Sequence, residues 1–227
     1  MDSRTERAGP LPGGDVLVVG GGHFGQLAAR RLAGRVRAVV EPRPSPALLG
    51  LDVPVLVQDG TVALRQVLAR PDPPAWVVPC LPLHLLALWL VAELGGEFRP
   101  PPGEALASLP VIGRGPEGQA YLSLASGLCP DNCPEPADIC PRTGQPRGQP
   151  LYERLAGLDL AGWSTGVLRS RQLAPGVGGL LLTEMLALRE QMRERGGPWL
   201  VATACRCHGV LHGLALAPNR RPRDDDI

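Results

Sequence analysis

The sequence predicts an α/β protein in which a Rossmann-like parallel sheet is followed by a smaller, cysteine-rich α/β domain with a metal or cluster site. Three observations lead there. Strand-like and helix-like patterns alternate from residue 15 to residue 98, a glycine loop follows the first strand, and five of the six cysteines fall into two short clusters in the second half. The 227 residues suffice for one large or two small domains, and 44% hydrophobic with 20% charged residues can bury a core. With 29 glycines and 26 prolines, about a quarter of the chain, the elements must be short and the turns many.

Asp15 to Gly20 is a nearly continuous apolar run, as a buried parallel strand requires. Phe24 to Leu32 has helical spacing and ends at Gly34. Val36 to Val40 reads as a second strand stopped by Pro42, and Val53 to Val57 as a third. Thr61 to Ala69 is helical, with Thr61 as its N-cap after Asp59-Gly60. The apolar stretch from Ala75 to Leu94 has the length of a membrane span, but Pro79 and Pro82 interrupt it, and His84 and Glu93 lie inside it. It reads as a fourth strand, Ala75 to Val78, and a buried helix, Leu83 to Leu94. The proline cluster at residues 100–102 marks a linker, placed at 99–118 between domains at 15–98 and 119–218. Beyond it, Pro110 to Ile112 and Ala120 to Leu124 can pair across the turn at 116–118. Trp163 to Leu173 reads as one strand, Gly178 to Arg195 as a helix with Leu181, Met185, Leu188 and Met192 on one face, and Pro198 to Ala204 as a last strand. Residues 1–14 and 219–227 are expected to be flexible.

Gly20-Gly21-Gly22-His23-Phe24-Gly25 fits the G-x-G-x-x-G pattern between a strand and a helix. One glycine makes the turn, one lets the backbone reach a pyrophosphate, and one packs helix against strand, while the helix N-terminus offers N–H groups to the phosphates. Gly20, Gly22, His23, Phe24 and Gly25 are therefore the expected dinucleotide contacts. Glu41, at the end of the second strand, is placed to hold a ribose 2′-OH and to repel a 2′-phosphate, which favours NAD(H); Arg43 nearby weakens that preference.

With VVGGGHFG at Val18 to Gly25, VVEP at Val39 to Pro42 and VQDGT at Val57 to Thr61, residues 15–95 resemble the N-terminal nucleotide-binding (RCK, or TrkA-N-like) domain of potassium-transport regulators. That resemblance implies a Rossmann fold for NAD(H) or an adenine nucleotide such as ATP or AMP, with Asp59 near the adenosine. It does not extend past the linker. The glycine loop is also similar to that of siroheme-type dehydrogenases.

Cys129, Cys133 and Cys140, spaced C-x3-C-x6-C and each followed by proline, lie in a polar segment with little else to hold it still. Cys205-Arg206-Cys207-His208 offers further ligands from the end of the last strand. Zinc takes four Cys or His ligands in a closed tetrahedron, and an iron–sulfur cluster takes four cysteines in runs that end in Cys-Pro. The repeated Cys-Pro tilts the reading toward iron–sulfur, with Cys129, Cys133, Cys140, Cys205 and Cys207 as candidate ligands. In a reducing cytoplasm such thiols serve as ligands more readily than as disulfides.

Several functions are excluded or demoted. All 23 basic residues are arginine, so neither a Schiff-base lysine nor a P-loop lysine exists. A net charge of +1 and 4% aromatic residues argue against nucleic acid as a partner. Gly162-Trp163-Ser164-Thr165-Gly166 matches G-x-S-x-G but lacks a following helix. Gly176 to Gly179 is a weaker candidate anion site, and Cys80 and His84 read as core residues. No general acid or base is identified, and the catalytic residues stay unassigned. The expected function is an NAD(H)-binding cytoplasmic redox protein with an iron–sulfur or zinc centre. The alternatives are a non-enzymatic nucleotide or redox sensor and a dehydrogenase with structural zinc. The expected partners are the dinucleotide and an electron-transfer or transporter protein, with no membrane span; a homodimer is compatible.

Overall fold

The computed structural model describes residues 13–217, so the expectations for the first twelve residues and for the tail beyond 217 lie outside the described residues. In chain order the strands are β1 (Val16–Val19), β2 (Val36–Val40), β3 (Val55–Leu56), β4 (Trp76–Pro79), β5 (Glu97–Arg99), β6 (Val111–Arg114), β7 (Ala120–Ser123), β8 (Ser164–Arg169), β9 (Arg171–Ala174), β10 (Val177–Leu181), β11 (Gly197–Ala204) and β12 (His208–Leu216). The helices are α1 (His23–Arg31), α2 (Pro46–Leu49), α3 (Gly60–Leu68), α4 (Leu85–Leu94), α5 (Gly103–Leu106), α6 (Leu151–Ala156) and α7 (Leu182–Arg195).

Two mixed sheets result. The first has the order β3-β2-β1-β4-β10-β9, with β1 to β4 parallel and with β10 and β9 added antiparallel. The second has the order β6-β7-β12-β11-β8, with β5 also on β12 and only β11 and β8 parallel. The layers alternate. Val16 and Val18 face α1 and α2 on one side of the first sheet, while Leu17 and Val19 face a layer of α3, α4 and α7 on the other. The far side of that helical layer packs on Trp199, Val201 and Leu214 of the second sheet, whose outer face is covered by α5 and α6. β1 is buried on both faces, which is why its sequence is continuously apolar rather than alternating. α4 lies between the sheets, so the run Leu85 to Leu94 is apolar almost all round, and no described helix is long and apolar enough to cross a membrane.

The structure corrects the sequence reading at several elements. The first sheet is mixed, not purely parallel, because β9 and β10 come from the segment expected to form a separate domain. Residues 99–118, expected as a linker, carry α5 and β6. The stretch Trp163 to Leu173 is two strands that part at Ser170 and join different sheets. The helix expected from Gly178 begins at Leu182; Gly178 to Leu181 belong to β10, which leaves Leu181 off the stripe of Met185, Leu188 and Met192. This also removes a helix-start anion site at Gly176 to Gly179, since those residues form the β9–β10 turn and strand. α3 is capped by Asp59, not Thr61. β12 has no counterpart in the sequence reading, because Gly209 and Gly213 and the histidines at 208 and 212 dilute its apolar pattern.

Candidate functional site

The glycine loop leaves the C-terminal end of β1, where hydrogen bonds from Gly20 N–H to Val40 O (2.8 Å) and from Cys80 N–H to Val19 O (2.7 Å) bind it to the neighbouring strands. Gly20 has φ +105°, and a Cβ there would lie 2.5 Å from the Cys80 carbonyl oxygen. A Cβ on Gly25 would lie 1.8 Å from the Gly20 oxygen, so helix and strand meet backbone to backbone. Gly22 differs: a Cβ there meets nothing within 4 Å. Packing accounts for the first two glycines but not for Gly22, which faces open space at the start of α1. Glu41 reaches the loop, its carboxylate accepting from Gly21 N–H (2.8 Å) and Arg43 N–H (3.1 Å). Asp59 accepts from Thr61 N–H (2.8 Å) and Val62 N–H (3.0 Å), which occupies one of its oxygens with capping α3. Cys80 packs against the loop; burial pushes its thiol up to about 12, a core role.

A cavity of about 600 Å³ opens beside α1, and Cys129, Cys133, Cys140, Cys205 and Cys207 all line it. Two pieces of chain bring them there. The loop between β7 and α6 carries the first three, and the β11–β12 turn carries the other two. They are joined by hydrogen bonds from Leu124 N–H to Cys207 O (2.8 Å), Leu151 N–H to Arg206 O (2.8 Å) and Arg206 N–H to the Glu135 carboxylate (2.7 Å). Glu135, which accepts that last bond, has a left-handed backbone, φ +49°.

All six cysteines are free. The turn directs the N–H groups of Cys207 (3.4 Å) and His208 (3.3 Å) at the Cys205 sulfur. His208 lies between two thiols, with Nε2 at 3.8 Å from Cys129 Sγ and Nδ1 at 3.9 Å from Cys205 Sγ. The Arg147 guanidinium donates to Cys207 Sγ (2.6 Å), while its Nε is buried without a partner. Burial raises the thiols of Cys129 and Cys207 and pushes Cys205 up to about 11, with Glu135 adding to the effect on Cys205. A hydrogen bond from Thr143 lowers Cys140 to about 7. Most of these sulfurs therefore need a nearby positive charge to become thiolates. Among the described residues, no three Cys, His, Asp or Glu side chains converge on a point where a single metal ion would be held as they stand. The thiols surround a space instead.

The glycine loop and the cysteine loop touch. Asp131, between Cys129 and Cys133, lies 2.8 Å from Nε2 of His23, the first residue of α1, and Phe24 lines the thiol cavity. Sequence reasoning singled out His23 and Phe24 but not Asp131 or Arg147, whose roles exist only through contacts across the chain. His208 was visible beside the cysteine pair and is a cavity residue. The sequence also gave no partner for His84. Its Nδ1 lies 3.1 Å from Nδ1 of His212, the two rings stack, and both are buried. Ser164 sits in β8, paired with Trp199, so the G-x-S-x-G match makes no nucleophile elbow.

A family model described as "Uncharacterized protein, C-terminal domain" matches residues 83–217. That span begins just before α4 and takes in the cysteine loop and all of the second sheet, as well as β9 and β10. A protein of Archaeoglobus fulgidus, itself described as uncharacterized, is 32% identical over 223 residues, covering 88% of this chain and 99% of that protein. No solved structure matches the chain.

Proposed function

The chain belongs to the family that this C-terminal domain defines, and from that premise we propose that it is an NAD(H)-binding redox protein in which a cysteine-held iron–sulfur centre adjoins the nucleotide site. The observation that carries the reading is the gathering of five thiols around one cavity whose wall includes Phe24 of α1. Sulfurs that surround a space suit a cluster of several atoms better than a single ion, whose ligands must meet at about 2.3 Å from one point. The charge also fits. Four thiolates around either a divalent metal or a [4Fe–4S]²⁺ core leave two negative charges, and the cavity lining holds four arginines (Arg142, Arg147, Arg154 and Arg206) against two carboxylates.

Four features support the dinucleotide. The parallel order β3-β2-β1-β4 is that of half a Rossmann fold, which agrees with the resemblance to the transport-regulator domain. The glycine loop opens α1, Glu41 stands at the end of β2, and Gly22 is open toward the space a pyrophosphate would take. A cytoplasmic location, where thiols stay reduced, belongs to the same reading. No hydride step is assigned, because a hydride carries two electrons and an iron–sulfur centre passes one at a time.

Zinc is the second reading, favoured by His208 standing between Cys129 and Cys205, a mixed sulfur and nitrogen donor set. Anaerobic purification separates the two. Iron with acid-labile sulfide and absorbance near roughly 400 nm supports the first. Colourless protein with stoichiometric zinc replaces it with the second, and protein that neither carries nor accepts a metal sinks both. Quenching or enhancement of NADH fluorescence on titration tests the nucleotide half.

A further inference from the structure

We propose that Asp131 couples the two sites antagonistically, so that a filled thiol centre weakens binding of the dinucleotide and the dinucleotide loosens the thiol centre. This rests on the reading above and goes beyond it by assigning a regulatory link to one residue.

The cysteine loop is clasped to the nucleotide half at a few points. The Asp131 carboxylate is 2.8 Å from His23 Nε2, and the Asp131 carbonyl accepts from Arg31 at 2.6 Å. The same Arg31 nitrogen donates to the Pro175 carbonyl in the β9–β10 turn. The Cys133 carbonyl accepts from Gly176 N–H (3.0 Å) and from Gln172 Nε2 (2.7 Å). Gly176 has φ +71°, and a Cβ there would fall 1.6 Å from the Asp131 oxygen. The turn is therefore shaped to let the loop approach this closely.

Asp131 is thus held at the first residue of α1, where the N–H groups attract phosphate. A pyrophosphate bound there brings a second anion to the imidazole that Asp131 already occupies. Two anions at this separation repel, and His23 cannot serve both in full. Rotation of the exposed side chain moves the carboxylate only a few ångströms from His23, and taking it clear of a bound pyrophosphate needs the loop itself to move. Asp131 is two residues from Cys129 and two from Cys133, within about 7 Å of chain on either side. Fixing those sulfurs in a filled centre pins the carboxylate beside His23, and emptying the centre frees it. Linkage makes the effect reciprocal.

The test titrates NADH by fluorescence against the full chain in two states, as purified with its metal and after removal of the metal by chelator. The wild type is expected to bind NADH about five- to tenfold more tightly in the stripped state. NADH should speed metal loss to the chelator when the centre is filled. Inorganic pyrophosphate should reproduce the effect and adenosine should not, since the conflict lies at the phosphates. In Asp131→Asn, which keeps the shape and removes the charge, both ligands should still bind and the ratio should shrink to within about twofold. Asp131→Glu should restore part of it. A purely structural role for Asp131 would change metal retention without changing the ratio. Equal NADH affinity in the two wild-type states, or a ratio that persists in Asp131→Asn, overturns the coupling while leaving both sites intact. Failure of NADH or of metal to bind at all overturns the functional reading and the coupling with it.

Discussion

The glycine loop and the cysteine loop lie side by side, yet different forces order them. The glycine loop is an extension of the first sheet. Strand hydrogen bonds hold it on both flanks, Gly20 and Gly25 pack backbone to backbone, and the residues beneath it are fully buried. The cysteine loop runs from Leu124 to Pro150 without a regular element beyond one bridge, Ile139 to Pro146. Its larger apolar side chains face outward, Leu128 at 92% and Ile139 at 50% exposed. Hydrophobic burial fixes the first, and it cannot fix the second. A segment with so little apolar contact holds one conformation only if other bonds replace burial, and on the proposed reading thiolate–metal bonds would add to the hydrogen bonds that the structure shows. The difference teaches that the glycine loop is ordered by the core beneath it, whereas the cysteine loop is ordered by scattered polar contacts to Arg31, Gln172, Gly176 and Arg206.

The largest effect should come from closing the backbone contact. Gly25→Val drives a side chain into the Gly20 carbonyl and should lower stability by about 3 kcal/mol or more, read as a fall in the urea midpoint. Gly22→Val, three residues away, meets open space. It should lower stability by about 1 kcal/mol at most, through the poorer N-cap, while weakening NADH binding by at least about tenfold. If Gly22→Val keeps its affinity, the pyrophosphate does not bind at the start of α1.

The cysteine loop should respond to its ligand rather than to packing. Removal of the metal by chelator, or Cys133→Ser, should increase tryptic cleavage after Arg142 by about tenfold or more, while sites in the first sheet stay protected. A cleavage rate that ignores the metal would mean that the clasp to Arg31, Gly176 and Gln172 orders the loop by itself.

How far each region could be read from sequence follows the same division. β1, β2, α1 and the glycine loop are legible because their signals are local: a doubly buried apolar run, a helical spacing, a turn that needs small residues. The cysteine clusters are legible as chemistry, since five thiols at two places need a reason, but their contacts with Arg147, Asp131 and Glu135 are not. Those side chains acquire roles from residues roughly 60 to 110 positions away. β9 was merged with β8 into one strand, and β10 was hidden for another reason. Val177 to Leu181 carry two glycines and run straight into the apolar stripe of α7, so the strand looks like the first turn of the helix. β12 was missed because its buried face includes His212, a residue whose burial becomes intelligible only beside His84.

That histidine pair ties the strand that leaves the thiol turn to the crossover that follows β4, and acid should loosen it. Burial lowers His84 well below the ordinary histidine range, with His212 adding to the effect, and burial lowers His212 to about 4. The unfolded chain takes up protons at these residues near pH 6.5, and the folded chain does not until the pH is much lower. Stability is therefore undiminished above about pH 7.5 and should fall by roughly 3 kcal/mol between pH 6.5 and pH 5. The double variant His84→Leu with His212→Phe removes both unpaired Nε2 atoms and should flatten that slope in urea melts across the same range. A slope that survives in the double variant would place the acid-sensitive groups elsewhere, with His208 in the thiol cavity as the next to examine.

The smallest expected effect concerns Asp59, where a role in the fold and a role at the ligand can be compared on a single residue. The resemblance to transport regulators implies a contact with adenosine, whereas in the structure Asp59 Oδ1 caps α3 through Thr61 and Val62. The two roles make different demands. A cap needs an oxygen acceptor, which asparagine supplies as well as aspartate. A ribose contact draws on the charge, because a hydrogen bond to a carboxylate is stronger than one to an amide. Asp59→Ala should cost about 1 kcal/mol of stability, and Asp59→Asn should stay within about 0.5 kcal/mol of the wild type. If Asp59 serves the fold alone, NADH affinity in Asp59→Asn equals that of the wild type. A severalfold loss of affinity in a fully stable Asp59→Asn would assign the second carboxylate oxygen to the nucleotide. The C-terminal end of β3 would then be part of the site, and the glycine loop would not be the whole of it.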